Sequence, residues 1–548
     1  MSLKPETIAD IPELTAQIAR SAFPKGNCYM TMRDELGVLY ADEPFAPFFS
    51  ATGQPAEAPW RLALVTVMQF AENLTDRQAA DAVRGRIDWK YALGLEMTDA
   101  GFHYSVLSEF RDRLGTESVE QMLLDRMLAC FKAKQLLKAR GKQRTDSTHI
   151  LAAVRTLNRL ELVGETLHHA LNSLADVAPE WLQAQITPEW FERYGQRFEN
   201  ARLPKEQSKR EQLALTIGQD GLHLLNQIHA ATELPHLRSL LAVETLRCVW
   251  VQQYYLDGEQ LHWRTDKHCH LPPAGVTIAS PYDLEVRYSN KRGLTWHGYK
   301  VHLTETCDDE TPHLITQVET TPVDLLDNQA VPQIHAKLAQ KELLPNQHVI
   351  DCGYMDGELL VESRQTYGVE LLGPVRPDNS WQAHEESGFD VAQFTIDWQK
   401  QVATCPNGTT SYKAKAGKDT SGRDIFRFVF RERDCQACPL REQCTHGQAR
   451  FLTILPEHQH TALQAARQRQ KTEAFRAQYT VRAGIEGTIS QAVYALRMRR
   501  TRYRGLAKTF FQDVATAAAM NLVRVVNWLW EIPRSQTRKS RFALLAPG

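Results

Sequence analysis

The sequence predicts an α/β protein: a strand-and-helix core, a helical N-terminal region, a helical insertion and a small Cys-containing insertion subdomain. Three observations predict it. Strand-like runs at 298–304, 313–320 and 348–351 follow one another closely, with a helical pattern over 328–341 between the last two, the signature of an α/β sheet. Residues 1–135 and about 154–279 read as Leu-rich helix, and from 377 to about 470 aromatics, Gly, Asn and four cysteines replace that periodicity.

At 548 residues the chain is long enough for about three to five units and several cores. Hydrophobic residues at 43% and charged ones at 24% place it among globular proteins, which excludes a fibrous or disordered chain. The longest apolar run, 516–529, is interrupted by Arg524 and is too short to cross a bilayer, so no membrane partner is expected. The first 13 residues carry acids and two prolines in place of a basic start and an apolar run, so no secretory signal is expected. Ten sparse cysteines fit a reducing cytosol. The net charge of −1 hides an asymmetry: 467–541 carries 16 Lys and Arg against 4 Asp and Glu. A basic C-terminal segment points to nucleic acid.

Taken in order, 60–73 is an apolar helix, and Thr75 caps a fresh helix beginning at Arg77. A further start at Thr98-Asp99 leads into a helix over 105–114 that carries Arg111 and Arg113. Two short helices joined by a turn are compatible with a helix-turn-helix DNA reader. Asp146 lies in the β-branched stretch Thr145-Asp146-Ser147-Thr148-His149-Ile150, a short strand candidate. A long helical region over 472–530, interrupted near Arg504-Gly505, follows the cysteine-containing stretch.

Phosphodiester cleavage is served by paired divalent cations held by carboxylates from separate elements. Asp351 directly follows the apolar run Val349-Ile350, at a strand end where ligands of open α/β sheets gather. Glu486 follows Tyr479 and Arg482 at helical spacing, so the three project from one face, and a further 18 positions from Tyr479 return to the same direction at Arg497. A carboxylate can chelate metal, guanidiniums grip phosphate, and the Tyr can stack near a distorted DNA end. Gly484 and Gly487 flank Ile485-Glu486, which suggests close approach to the backbone.

"TDST" at Asp146, "SPYDLEVRY" to "WHGYKVHLTETCD", "VIDCGYMD" at Asp351 and "YTVRAGIEGTISQ" followed by "RYRGLAKT" together resemble bacterial insertion-sequence transposases of the DDE type. More narrowly, they resemble the group with a Tyr-x2-Arg-x3-Glu signature and an InsH-like helical N-terminal domain. The resemblance runs from about residue 48 to 530. It implies a ribonuclease H-like core with Asp146, Asp351 and Glu486 as catalytic, Mg²⁺- or Mn²⁺-binding residues, and it maps the signature Tyr and Arg onto Tyr479 and Arg482. It also makes 299–304 and 313–320 the second and third core strands, with the helical insertion after the first. The Lys that the signature expects seven residues after the Glu is Val493 here, and Arg497 lies beyond it.

Cys405, Cys435, Cys438 and Cys444 include one C-x2-C pair and are candidates for a structural Zn²⁺, with His446 able to replace a thiol. Arg497, Arg499, Arg500, Arg502, Arg504 and Lys508 crowd twelve residues and are read as a continuation of the helix bearing Glu486, laid along DNA. Trp296, Trp381 and His149 read as packed residues.

The expected organisation is a helical N-terminal DNA-binding domain over 1–135 and a core over 136–376 containing the helical insertion at about 154–279. The cysteine-containing subdomain follows over 377–470, then catalytic and DNA-binding helices over 471–530 and a basic tail over 531–548. The expected function is a DNA transposase that cleaves transposon ends and transfers strands to target DNA. It would act as a homodimer in the synaptic complex and reside in the bacterial cytoplasm. A metal-dependent nuclease without strand transfer, or a non-catalytic DNA-binding derivative, are the alternatives.

Overall fold

The computed structural model describes residues 2, 3, 5, 8 and 10–534, except 115–119, 199–202, 266–270, 292 and 386. The basic tail therefore lies almost wholly outside the described residues.

The centre is a six-stranded mixed sheet: β1 (Arg140–Leu151), β2 (Arg287–Lys291), β3 (Leu294–Thr306), β4 (Ile315–Pro322), β5 (Pro345–Val349) and β6 (Glu370–Leu372). β1 pairs antiparallel with β3, from Gln143 opposite Thr306 to Leu151 opposite Gly298. Its other edge pairs parallel with β5, which continues parallel to β6. The far edge of β3 takes both β2 and β4, antiparallel. The short candidate at Asp146 is thus a long central strand, and β2 and β6 were not anticipated. β2 is too polar, and β6 too short, to show a period-2 pattern.

β1 carries a polar sequence into the middle of the sheet because its alternate residues have partners on opposite faces. On one face Thr145 meets the His348 ring at 2.7 Å, which meets His335 of the helix Asp327–Gln340 at 2.9 Å. On the other face lie Arg144 and Asp146, separated by one pleat.

The helices before the sheet begin as the sequence indicates. Thr75 caps Asp76–Gly85 through a capping box with Gln78, and Ser105–Leu114 is helical. Arg111 does not face outward, however. Its side chain, 10% exposed, holds Asp76, and its guanidinium lies 5.4 Å over Tyr503. Arg113 lies over Phe49. These cations join helices to each other. The N-terminal helices, the sheet and the helix Leu506–Leu529 share one continuous core, including Trp89, Phe110, Tyr299 and Met520. The stretch 157–278 has its own core, built on helices with one hairpin, Tyr254–Asp257 and Gln260–Trp263. The stretch around 389–454 has another, in which a three-stranded sheet packs Phe428, Phe430 and Leu452. The helix Glu457–Arg469 leaves that subdomain and packs on Gly357–Tyr367 beside the main sheet. Among the described residues, no helix is long and apolar enough to cross a membrane.

The expected long helix over 472–530 is divided. Glu473–Tyr479 is α-helical, 480–483 tightens, Gly484–Ser490 is α-helical, and 491–495 widens before the chain leaves the helix. Residues 496–505 are not helical: Arg497 takes φ 57° and Arg500 bridges to Leu151. The turn is fixed by burial of Met498 and by backbone bonds from Leu151 to Arg499 and from Thr501 to Leu151. The basic run therefore does not continue the helix of Glu486, and Arg497 does not share the face of Tyr479.

Candidate active site

Register places the first two acids together. Arg144 stands opposite Val349 in the parallel β1–β5 ladder, so two residues further along each chain come Asp146 and Asp351. Asp351 lies just past the carboxyl end of β5, where its side chain accepts a hydrogen bond from the Gly353 amide at 2.7 Å and turns the chain.

The third acid arrives from the C-terminal segment. Arg482 Nη1 lies 3.0 Å from Glu486 Oε1, one helical turn on. Its Nη2 lies 2.6 Å from Asp146 Oδ2 and 3.9 Å from Asp351 Oδ2. One guanidinium thus touches all three acids that the sequence singles out, from three separate elements. Their exposures grade outward: 15% for the Asp146 side chain, 34% for Asp351 and 67% for Glu486. Burial raises the Asp146 carboxyl above its ordinary range, and the Arg482 charge opposes that rise without cancelling it. Burial also lifts the Tyr479 hydroxyl, to about 12, so it is a neutral hydrogen-bonding group. Its ring stacks on Phe475 at 5.5 Å.

A net charge of −2 over three hard oxygen donors and one guanidinium is the donor chemistry a divalent cation takes. Among the described residues, no group of three or more His, Cys, Asp or Glu is arranged to hold a metal ion as it stands. At the acids the reason is visible: the Arg482 guanidinium lies between the carboxylates and acts as their counter-ion.

Gly484 is the residue that lets this segment come down on the sheet. A Cβ there would overlap the Arg144 guanidinium, whereas one at Gly487 would meet nothing within 4 Å. The expectation of close approach holds for the first glycine and fails for the second.

The remaining predicted residues are dispersed. Arg499 bonds Thr148 Oγ1 and the His149 carbonyl, closing the end of β1. Arg502 donates to the Leu74 carbonyl and lies 4.9 Å over Phe70. Arg504 lies 5.0 Å over Tyr282, and Lys508 pairs with Asp112 at 2.9 Å. Arg497 and Arg500 are exposed on the same turn. Val493 is buried, so the position where the signature expects a Lys faces the interior. Trp296 is buried and packs on His149 at 4.8 Å.

Cys405, Cys435, Cys438 and Cys444 line one small cavity with Phe430 and Arg450, and all four thiols are free. They are not arranged to hold an ion, and the Zn²⁺ expectation finds no support. His446 stacks on Trp381 at 4.1 Å and does not line that cavity.

Sequence reasoning missed the groups beneath the acids: Arg144, Glu305 and Arg524. The available signals were a Glu between two threonines near the end of the strand pattern and the single Arg that interrupts the apolar run 516–529.

Residues 404–526 match the family described as Transposase DDE domain, and residues 19–113 match Transposase domain (DUF772). No curated protein and no solved structure matches the chain. A DDE domain implies a ribonuclease H-like fold, to which a mixed sheet flanked by helices conforms. One matched segment includes Arg482 and Glu486 and the other covers the N-terminal helices, and together these two matches support a transposase of the DDE insertion-sequence type.

Proposed function

We propose that this transposase cleaves the ends of its element and transfers the freed 3′ strand to target DNA, with Asp146, Asp351 and Glu486 as the catalytic acids. The reading rests on one observation: three acids far apart in sequence converge on the single guanidinium of Arg482. Together with Tyr479 they fit the Tyr-Arg-Glu signature group. The three carboxylates would hold Mg²⁺ or Mn²⁺, which supplies Lewis-acid stabilisation of charge on the attacking and leaving oxygens. The chain's own part is to keep these oxygens converged. Arg482 prevents mutual repulsion until a cation or a phosphate competes for its partners. Tyr479, neutral and half-buried, offers an uncharged edge beside the acids. Because two ends must be cut and joined, a homodimer is the expected working form, in the bacterial cytoplasm where the element's DNA resides.

Burial of Asp146 sets the pH response. Its carboxylate must be ionised to hold a cation, so Mn²⁺ binding is complete above its raised pKa and fails as pH falls through it. A titration of bound Mn²⁺ should therefore lose signal at a pH above the ordinary Asp value of about 3.9. Loss only below that value would place the binding elsewhere.

The turn at 496–505 replaces the straight basic helix as the DNA-facing element in this reading. Arg497 and Arg500 are its outward cations, while Arg502, Arg504 and Lys508 also hold neighbouring elements. Replacing Arg497 and Arg500 by Ala should reduce the slope of log affinity against log salt by about 2. An unchanged slope removes that turn from the interface.

The function itself is tested by incubating the protein with its own flanking repeats, a target plasmid and Mg²⁺ or Mn²⁺. Cleaved ends followed by joined product are expected. Cleavage without joining, when pre-cleaved ends are supplied, identifies a nuclease, and neither product with intact DNA binding identifies a non-catalytic binder.

A further inference from the structure

We propose that Glu305, through Arg144, Arg524 and Thr488, is a positioning residue for the acid site, an inference that rests on the catalytic reading of Asp146, Asp351 and Glu486. Glu305 is completely buried in β3, directly opposite Arg144 of β1. Its Oε1 accepts from Arg144 Nε at 2.7 Å and Nη2 at 2.6 Å. Its Oε2 accepts from Arg524 Nη1 at 2.8 Å and from the Thr488 hydroxyl at 2.6 Å. Burial raises the cost of this charge, yet Arg524 and Arg144 together hold its carboxyl below the usual range, so it stays ionised. Both oxygens are satisfied by charge-assisted bonds, the condition under which a buried carboxylate is rigid.

What this cluster grips is the segment bearing Arg482 and Glu486. Arg144 Nη1 donates to the Val481 carbonyl, one residue before Arg482. The same guanidinium fills the space left by the missing side chain of Gly484. Thr488, two residues after Glu486, is held both by Glu305 and by Arg524 Nη2 at 2.7 Å. Arg524 also bonds Gln491 at 3.0 Å and the His313 carbonyl at 2.9 Å, tying the start of 491–495 to the sheet. The anchors at 481, 484 and 488 bracket both site charges, and they come from one buried carboxylate and its two arginines. Since Arg144 lies one pleat from Asp146 on the same strand face, the device that seats the third acid is built into the strand of the first.

Removing Glu305 would leave two guanidiniums without the carboxylate they share and endanger folding, so the decisive variant is Thr488→Val, which keeps shape and deletes the hydroxyl that donates to Glu305 and accepts from Arg524. Full-length protein without DNA is titrated with Mn²⁺ and followed by electron paramagnetic resonance. Thr488→Val should weaken Mn²⁺ affinity about 10- to 100-fold, the range for groups that orient metal ligands. With end DNA, kcat should fall by a similar factor while KM for DNA holds, and Thr488→Ser should recover affinity to within about threefold. Gly484→Ala, which pushes the Arg144 guanidinium from its place, should reproduce the Thr488→Val pattern. Wild-type Mn²⁺ affinity and kcat in both Thr488→Val and Gly484→Ala overturn the positioning role. Equal weakening in Thr488→Ser and Thr488→Val overturns it as well, because the hydroxyl would then not matter. If wild-type protein binds no Mn²⁺, or Asp146→Asn binds it as well as wild type, the catalytic reading fails and takes the inference with it. These outcomes are distinguishable from a failure of positioning alone.

Discussion

Asp146→Asn should lower the single-turnover rate of end cleavage by at least about a thousandfold while DNA affinity stays within about threefold. The substitution is nearly isosteric and keeps the Ser147 amide bond and the β1 ladder, so the fold has no reason to fail. What it removes is the charge on the innermost of three acids, the one whose burial makes its interactions least screened. Asp351→Asn and Glu486→Gln should fall in the same range, since the three act as a unit and their effects are not additive. The double variant Asp146→Asn/Asp351→Asn should therefore be little worse than either single one. Retention of more than about a tenth of wild-type cleavage in any of the three single variants would show that the chemistry lies elsewhere in the chain.

Two of the three proposed acids stand out by local pattern, Asp351 after an apolar run and Glu486 one helical turn after Arg482, whereas Asp146 is singled out only by the family resemblance of its "TDST" stretch. Their meeting at one guanidinium was not legible, because it depends on a parallel register between β1 and β5, set by pairing of residues 205 apart. The basic run was misjudged for a related reason. Composition reports that six cations lie in twelve residues, but helix continuation through 496–505 is decided by burial of Met498 and by a bridge to Leu151, neither visible as periodicity. The sequence places Arg111 and Arg113 on the right helix and leaves their direction open, since an arginine that clamps Asp76 and one that faces a phosphate have the same sequence signature. Glu305 shows the converse. A charged residue inside a strand is the kind of violation that calls for a buried partner. Its partners, Arg144 and Arg524, are 161 and 219 residues away.

Arg482→Ala should weaken the metal-free protein and strengthen its hold on Mn²⁺, two effects of opposite sign from one change. Without metal, Arg482 is the shared counter-ion of Asp146, Asp351 and Glu486. Its loss leaves like charges facing one another. Since Arg482 is 18% exposed and Asp146 15%, while Glu486 is largely in solvent, the cost is set at about 1–3 kcal/mol, below that of a fully buried pair. The unfolding midpoint in chelator should drop by several degrees. With Mn²⁺ present, the competitor for the oxygens is gone, so the rise in midpoint caused by Mn²⁺ should exceed that of wild type. The pH dependence gives an independent sign check. Burial already raises the Asp146 carboxyl, and Arg482 is the largest opposing influence. Removing it raises that carboxyl further, so in Arg482→Ala the loss of Mn²⁺ on acidification should begin at a higher pH than in wild type. Cleavage should nevertheless fall, because the guanidinium that leaves the acids for a phosphate is no longer there. Arg482→Lys, which returns the charge without the fork that reaches three carboxylates, should restore most of the metal-free stability and little of the cleavage. Were Arg482→Ala to bind Mn²⁺ more weakly than wild type, with the same pH midpoint, the guanidinium would be an organiser of the cation site instead of its rival.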